Sequence, residues 1–271
     1  MVNQFPQVLT IAGSDCDGSA GMQADMNTFQ RCSVYGMSVL TAAVAGNSYG
    51  IFASQAMPTS FIGKQFQVLS DDFKISACKT GMLTDTATIE TVAENYQKYT
   101  FGPLVLDPVI ITKHGNMLLE EDAFQTLKNR LVPLATVLTP NYYEAVKLTG
   151  VKIKTKGDAL KAAKLLQQMG AKNIIVKGKH DDVSQKEVTD VVLLADGTSF
   201  TLSEPFVNTT HVNGTGDVLS ACVAAEIAKG KKVSSAIKQA KKFVTAAIAQ
   251  QIDVGHKFGP VNHLAAYDFN K

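Results

Sequence analysis

The chain is poor in charge. Only 18% of its 271 residues are Asp, Glu, Lys or Arg, and the formal net charge is +2. A balance this close to neutral gives no electrostatic footprint for nucleic acid and no acidic tail. It leaves Ser, Thr, Asn and Gln, or a second subunit, to cover the surface, and an oligomer is expected. Cysteine is scarce too. Cys16, Cys32, Cys78 and Cys222 form no C-x-x-C pair, which argues against zinc and against a thioredoxin motif. A chain of this length needs no disulfide staples, so a reduced, cytoplasmic setting is expected. Residues 1–7 show no basic stretch followed by an apolar one, so no signal peptide is expected. No apolar run reaches the length of a membrane span.

Two nucleotide fingerprints are missing as well. The loop at 13–21, Gly-Ser-Asp-Cys-Asp-Gly-Ser-Ala-Gly, lacks the Gly-Lys-Ser/Thr ending of a P-loop. Its glycines are not spaced Gly-x-Gly-x-x-Gly either. That argues against a dinucleotide-dependent oxidoreductase, which also needs an acidic residue about 20 positions on, at the end of a second strand.

What is present is alternation. Apolar residues make up 45% of the chain, enough for a packed fold. Short apolar runs at 7–12, 37–45, 75–79, 104–106, 136–138 and 173–176 read as strands. Between them lie helical patterns, one running through residue 29 and others at 61–69, 87–99, 121–131, 141–148 and 159–169. In the last of these, Ala159, Leu160, Ala163 and Leu166 follow the 3.6-residue period, with Lys161 and Lys164 on the other side. Runs at 188–194 and 199–202 flank Asp196-Gly197 and predict a β-hairpin. Two long helices, 217–229 and 233–251, close the chain. The pattern predicts one α/β domain over 1–271, with a mostly parallel sheet wrapped by helices.

Ligands of such sheets bind beyond the carboxyl ends of the strands, so the polar residues there are the candidates. Gly214-Thr215-Gly216-Asp217 leads into a helix whose first N–H groups attract anions. Asp217 there is either a base for an alcohol attacking a phosphate or an N-cap bonding the N–H of Ser220. Asp25, one turn into the first helix, either bonds a polar group of a substrate or supports the helix N-terminus. Asp107, next to Pro108, is either a Mg²⁺ carboxylate or a turn former. Asn141 and Glu144 have capping-box spacing, and Glu144 is otherwise placed near metal and phosphate. Lys177, just after a strand, either offsets phosphate charge or is solvated. Together these residues supply what in-line phosphoryl transfer needs.

Their order resembles the ribokinase superfamily over essentially the whole chain, and within it the vitamin B6 and pyrimidine kinases. The resemblance is carried by Ala12-Gly13-Ser14-Asp15, Gly21-Met22-Gln23-Ala24-Asp25, Tyr35-Gly36-Met37-Ser38, Lys79-Thr80-Gly81-Met82-Leu83, Asp107-Pro108-Val109, Thr139-Pro140-Asn141 with Glu144, and Gly214 to Asp217. It implies a three-layer α/β/α, ribokinase-like fold that uses ATP and Mg²⁺. Asp217 would be the base, and Gly214, Thr215 and Gly216 would build the anion hole around it. The substrate ring would lie near Ser14, Asp25, Val44, Gly46, Met82 and Val109. Asp107 and Glu144 would face the metal. Asn141, Lys177, Gly178, Asn208 and Thr215 would hold ATP, with its base against the segment from Asn208 to the helix after Val233. Homodimers and a flap, here 179–187, are common in the group.

Two positions depart from the pyrimidine kinases. Gly46 stands where a Gln usually holds the pyrimidine amino group, and Asp217 stands where that branch often has Cys. The departure at Gly46 leads to the expectation of a pyridoxal kinase acting on the 5′-hydroxymethyl of pyridoxal, pyridoxine or pyridoxamine. Hydroxymethylpyrimidine kinase is the alternative. Retention of Asp217, Asp107, Glu144 and Lys177 argues against a non-catalytic vitamin-binding protein.

Overall fold

A computed structural model describes residues 4–111, 118–180 and 182–269. Part of the segment read for a signal peptide (residues 1–3) and Asp181 of the candidate flap lie outside the described residues.

Among the described residues nine strands form one sheet. They are β1 (Gln7–Asp15), β2 (Tyr35–Asn47), β3 (Gly50–Ala56), β4 (Ile75–Thr80), β5 (Leu104–Leu106), β6 (Val137–Leu138), β7 (Asn173–Val176), β8 (Glu187–Leu193) and β9 (Ser199–Pro205). The order is β3-β2-β1-β4-β5-β6-β7-β8-β9. The six strands β2, β1, β4, β5, β6 and β7 run parallel, β3 and β8 run against them, and β9 pairs antiparallel with β8. Central strands are buried on both faces and read as apolar runs for that reason.

The helices are α1 (Gly21–Arg31), α2 (Thr59–Asp72), α3 (Thr86–Lys98), α4 (Glu121–Thr126), α5 (Tyr142–Thr149), α6 (Lys156–Gln168), α7 (Thr215–Ala228) and α8 (Val233–Ala249). They cover both faces, giving the expected three layers. Successive strand residues point to opposite faces. Val8, Val105, Val137 and Ile175 pack with α1, α7 and α8. Leu9, Ile11, Leu104, Leu106, Leu138 and Ile174 pack with α2, α3, α4 and α6 on the other face. From β1 the chain crosses by α1 to β2 on one side, then returns to β4 on the other. Beyond the carboxyl ends of β1 and β4 this reversal opens the crevice in which α/β proteins bind ligands.

Three elements depart from expectation. The strand β3 was not anticipated. The helix expected over 121–131 turns at Leu127 into a π-helical turn, Leu127–Leu131, followed by a 3₁₀ turn, Val132–Leu134. The helix expected from Asp217 begins two residues earlier, at Thr215. The hairpin forms around Asp196-Gly197 as expected: Gly197 takes φ +84° and Asp196 Oδ1 accepts from the N–H of Thr198.

Candidate active site

The helix α7 is the centre of the arrangement. Residues 218–226 are all buried, because α7 lies between α1, α8 and the sheet. A helix apolar on every side is fixed on every side, and its N-terminus points where the packing aims it. Gly214 is the N-cap, at φ +79°. A Cβ there would run into the Ser19 carbonyl, so only glycine allows the first loop and α7 to close together. The first bond at the helix entry runs from the Val218 N–H to the Gly214 carbonyl, 2.9 Å. The N–H groups of Gly216 and Asp217 are left directed out of the helix end.

Asp217 sits in that first turn, but not as a cap. Its Oδ1 accepts from Lys79 Nζ at 2.8 Å. Among the described residues no group bonds Oδ2, and the side chain is 17% exposed. Lys79 comes from the end of β4, is fully buried, and also donates to Asp25 Oδ1 at 2.6 Å. Thr10 in β1 donates to Asp25 Oδ2 at 2.5 Å. Burial pushes the Asp25 carboxyl up to about 7, although the Lys79 ammonium holds it down, and Asp217 pushes the same way as burial. Burial acts to lower the Lys79 ammonium, but Asp217 and Asp25 outweigh it and its pKa is raised. With no exposure and both oxygens occupied, Asp25 lies behind the first loop rather than lining it. The reading of Asp25 as a substrate contact gives way to one as partner of Lys79.

A second charged group stands beside the first. Lys177 Nζ, after β7, lies 3.3 Å from Asp107 Oδ1, after β5. Ser220 Oγ in α7 is 3.5 Å from Asp107 Oδ2. Burial acts against the Lys177 charge, yet Asp107 and Glu144 outweigh it and raise its pKa. Glu144 forms the capping box: its Oε2 accepts from Asn141 N at 2.7 Å, and Asn141 Oδ1 accepts from Glu144 N at 2.9 Å. Glu144 Oε1 accepts from Ile110 N at 2.9 Å and so ties α5 to the loop after Asp107. Burial pushes its carboxyl up to about 7, with Lys177 opposing and Asp107 adding.

The remaining candidates fall into two places. Asn141, Gly178 and Asn208 border one cleft of about 210 Å³. Lys177, Gly178 and Thr215 border a neighbouring one of about 100 Å³ that reaches Val244, Thr245 and Ile248 of α8. The Thr215 hydroxyl is held by the Val212 carbonyl at 2.6 Å. Around the first loop, Ser14 Oγ accepts from Gln23 at 2.6 Å, and Val44 pairs with Asp15 across β1 and β2. Met82 lies across Gly13, where a Cβ would come 2.6 Å from its methyl. Gly46 sits at a bulge between β2 and β3, and both its N–H and its carbonyl bond Cys16 Sγ. A Cβ on Gly46 would come 3.1 Å from the Gly50 carbonyl. Val109 holds φ +43°, unusual for a β-branched residue.

Lys79 was missed as a site residue, although a lysine inside a strand destined for burial is itself a signal. His263 was missed too. It is buried against Gly214, and burial lowers its pKa while Asp217 acts to raise it. Its position past the last helix gives no sequence cue.

Comparison with known proteins bears on both the reaction and the ring. Residues 15–262 match the family model described as phosphomethylpyrimidine kinase. The hydroxymethylpyrimidine/phosphomethylpyrimidine kinase of Haemophilus influenzae is 49% identical over 265 residues, covering 97% of this chain and 98% of the relative. That of Bacillus subtilis is 40% identical over 260 residues, covering 96% and 95%. Among solved structures, an ADP complex of Bacillus subtilis pyridoxal kinase superposes with a TM-score of 0.88 at 36% identity, covering 97% of this chain and 98% of that one. The more similar relatives are pyrimidine kinases, which overturns the expectation of a pyridoxal kinase. That expectation rested on the single position Gly46, which does not outweigh a likeness to the pyrimidine kinases over 97% of the chain. The fold, the strand-end site and the match over 15–262 together place this chain in the phosphomethylpyrimidine kinase family.

Proposed function

We propose that the chain phosphorylates the hydroxymethyl group of hydroxymethylpyrimidine with ATP, and then phosphorylates the resulting monophosphate. The observation that carries this reading is Asp217 at the mouth of α7, with one carboxylate oxygen held by Lys79 and the other unclaimed. In the first step Asp217 Oδ2 takes the hydroxyl proton as the alcohol oxygen bonds to the γ-phosphorus. The bond from that phosphorus to the β,γ-bridging oxygen breaks, and ADP leaves with the electron pair. The N–H groups of Gly216 and Asp217 receive the transferring oxygens, with Gly214 setting their approach. In the second step the acceptor is already an anionic phosphate oxygen and needs no base.

ATP would run from the cleft bordered by Asn141, Gly178 and Asn208 to Lys177 and Thr215, with its base towards α8. Among the described residues no three His, Cys, Asp or Glu gather as a metal cage. The donor set fits Mg²⁺ held mainly by phosphate and water, with Asp107 as the nearby carboxylate and Glu144 behind it. Bound there, the cation would offset phosphate charge. Ser14, Val44, Gly46, Met82 and Val109 would border the ring. A homodimer is part of this reading, supported by Tyr49 in the turn before β3 and by Ile51 and Phe52 on it, exposed at 57%, 64% and 72%. So is a cytoplasmic setting, supported by Cys32 and Cys222, which stay free thiols with sulfurs 3.7 Å apart.

The test follows phosphorus by NMR while purified protein, Mg-ATP and hydroxymethylpyrimidine react. A monophosphate followed by a diphosphate, with the first step lost in Asp217→Ala, is the expected result. Absence of any phosphorylated pyrimidine with the unaltered protein would overturn the reading.

A further inference from the structure

We propose that Lys79 is a positioning residue: it fixes which oxygen of Asp217 faces the alcohol. This rests on the reading of Asp217 as the base. Lys79 has no solvent exposure, so it touches no substrate and any effect on the reaction passes through a neighbour, here Asp217.

The geometry is a relay of three bonds. Thr10 Oγ1 donates to Asp25 Oδ2 at 2.5 Å, and Lys79 Nζ donates to Asp25 Oδ1 at 2.6 Å and to Asp217 Oδ1 at 2.8 Å. Thr10 is in β1, Lys79 in the neighbouring β4 and Asp25 in α1, so the ammonium is fixed from three elements. Its surroundings are closed. A Cβ on Gly81 would lie 3.3 Å from Nζ and 3.0 Å from the Ala12 Cβ. Burying an ammonium is costly, and a methionine would fill the same space without that cost. What the lysine adds is an anchor on one carboxylate oxygen, carried on a buried strand inside the sheet. The other oxygen is left to the crevice.

A simpler role for Lys79 is to neutralise buried Asp25. The two roles separate in Lys79→Met and in Lys79→Met combined with Asp25→Asn. The single variant leaves a carboxyl buried without its cation and melts well below the unaltered protein. The double variant removes both charges and regains most of the lost melting temperature under either role. If Lys79 positions Asp217, kcat of the double variant for alcohol phosphorylation stays down by about 10²-fold while KM for alcohol and ATP moves little. Its crystal structure then shows the Asp217 carboxylate turned from its present orientation.

Recovery of kcat together with stability would overturn the proposal, as would an unturned Asp217. Should the unaltered protein phosphorylate a different alcohol, the pyrimidine reading fails and the same comparison is run on that alcohol. The crystallographic arm needs no substrate at all.

Discussion

Lys177 meets Asp107 with 3.3 Å between Nζ and Oδ1, and the room beside them exists because residue 216 is glycine. A Cβ on Gly216 would come 3.2 Å from Asp107 Oδ2 and 3.4 Å from Lys177 Nζ. Gly214, two residues earlier, is glycine for a different reason: its positive φ and the Ser19 carbonyl. Alanine at the two positions therefore has different consequences. Gly216→Ala keeps its melting temperature and loses about tenfold or more in kcat, through displaced donors in the crevice. Gly214→Ala loses about 1–3 kcal/mol of stability from backbone strain, together with activity. Thermal melts and steady-state rates on both variants check this, and equal destabilisation of the two would contradict it.

Removing the base should leave nucleotide binding intact. Asp217→Asn keeps the shape, and its amide oxygen still accepts from Lys79, but it cannot take a proton. A loss of about 10²–10⁴-fold in kcat for the alcohol is expected, with ADP affinity by calorimetry unchanged. Phosphorylation of the monophosphate, which needs no base, should be far less affected. An equal loss in both steps would contradict the assignment.

The buried Asp25 carboxyl gives stability a pH dependence whose sign is fixed. Its pKa is raised from 3.8 to about 7 on folding. The folded chain thus holds a proton that the unfolded chain gives up at lower pH. The contribution is fully present below the unfolded value and is lost as pH rises through about 7. Urea midpoints should fall from about pH 5 to about pH 8, and less steeply in Asp25→Asn. Glu144, raised in the same sense, keeps part of the slope in that variant. Parallel slopes in the two proteins would contradict this account of Asp25.

Much of this was legible in the sequence, for physical reasons that also mark where legibility stops. The parallel strands are buried on both faces, so β5 and β7 stand out as apolar runs and were found to the residue. The strand β3 was missed because it is an edge whose first six residues are exposed, and neither alternation nor an apolar run betrays it. In the site, Asn141 and Glu144 announced their capping box by spacing alone, and it forms. Asp25 and Lys79 could not be understood without burial. From sequence each is a polar residue near a loop, and only the fold shows that they face each other inside it. Gly46 shows the opposite error, one substituted position given more weight than the likeness of the whole chain.

The most direct test sets two alcohols side by side. Purified protein is given Mg-ATP with hydroxymethylpyrimidine or with pyridoxal, and kcat/KM is measured for each. The account predicts a clear preference for the pyrimidine, by at least about tenfold, or 1.4 kcal/mol in transition-state stabilisation. A kcat/KM for pyridoxal equal to or above that for hydroxymethylpyrimidine would contradict it.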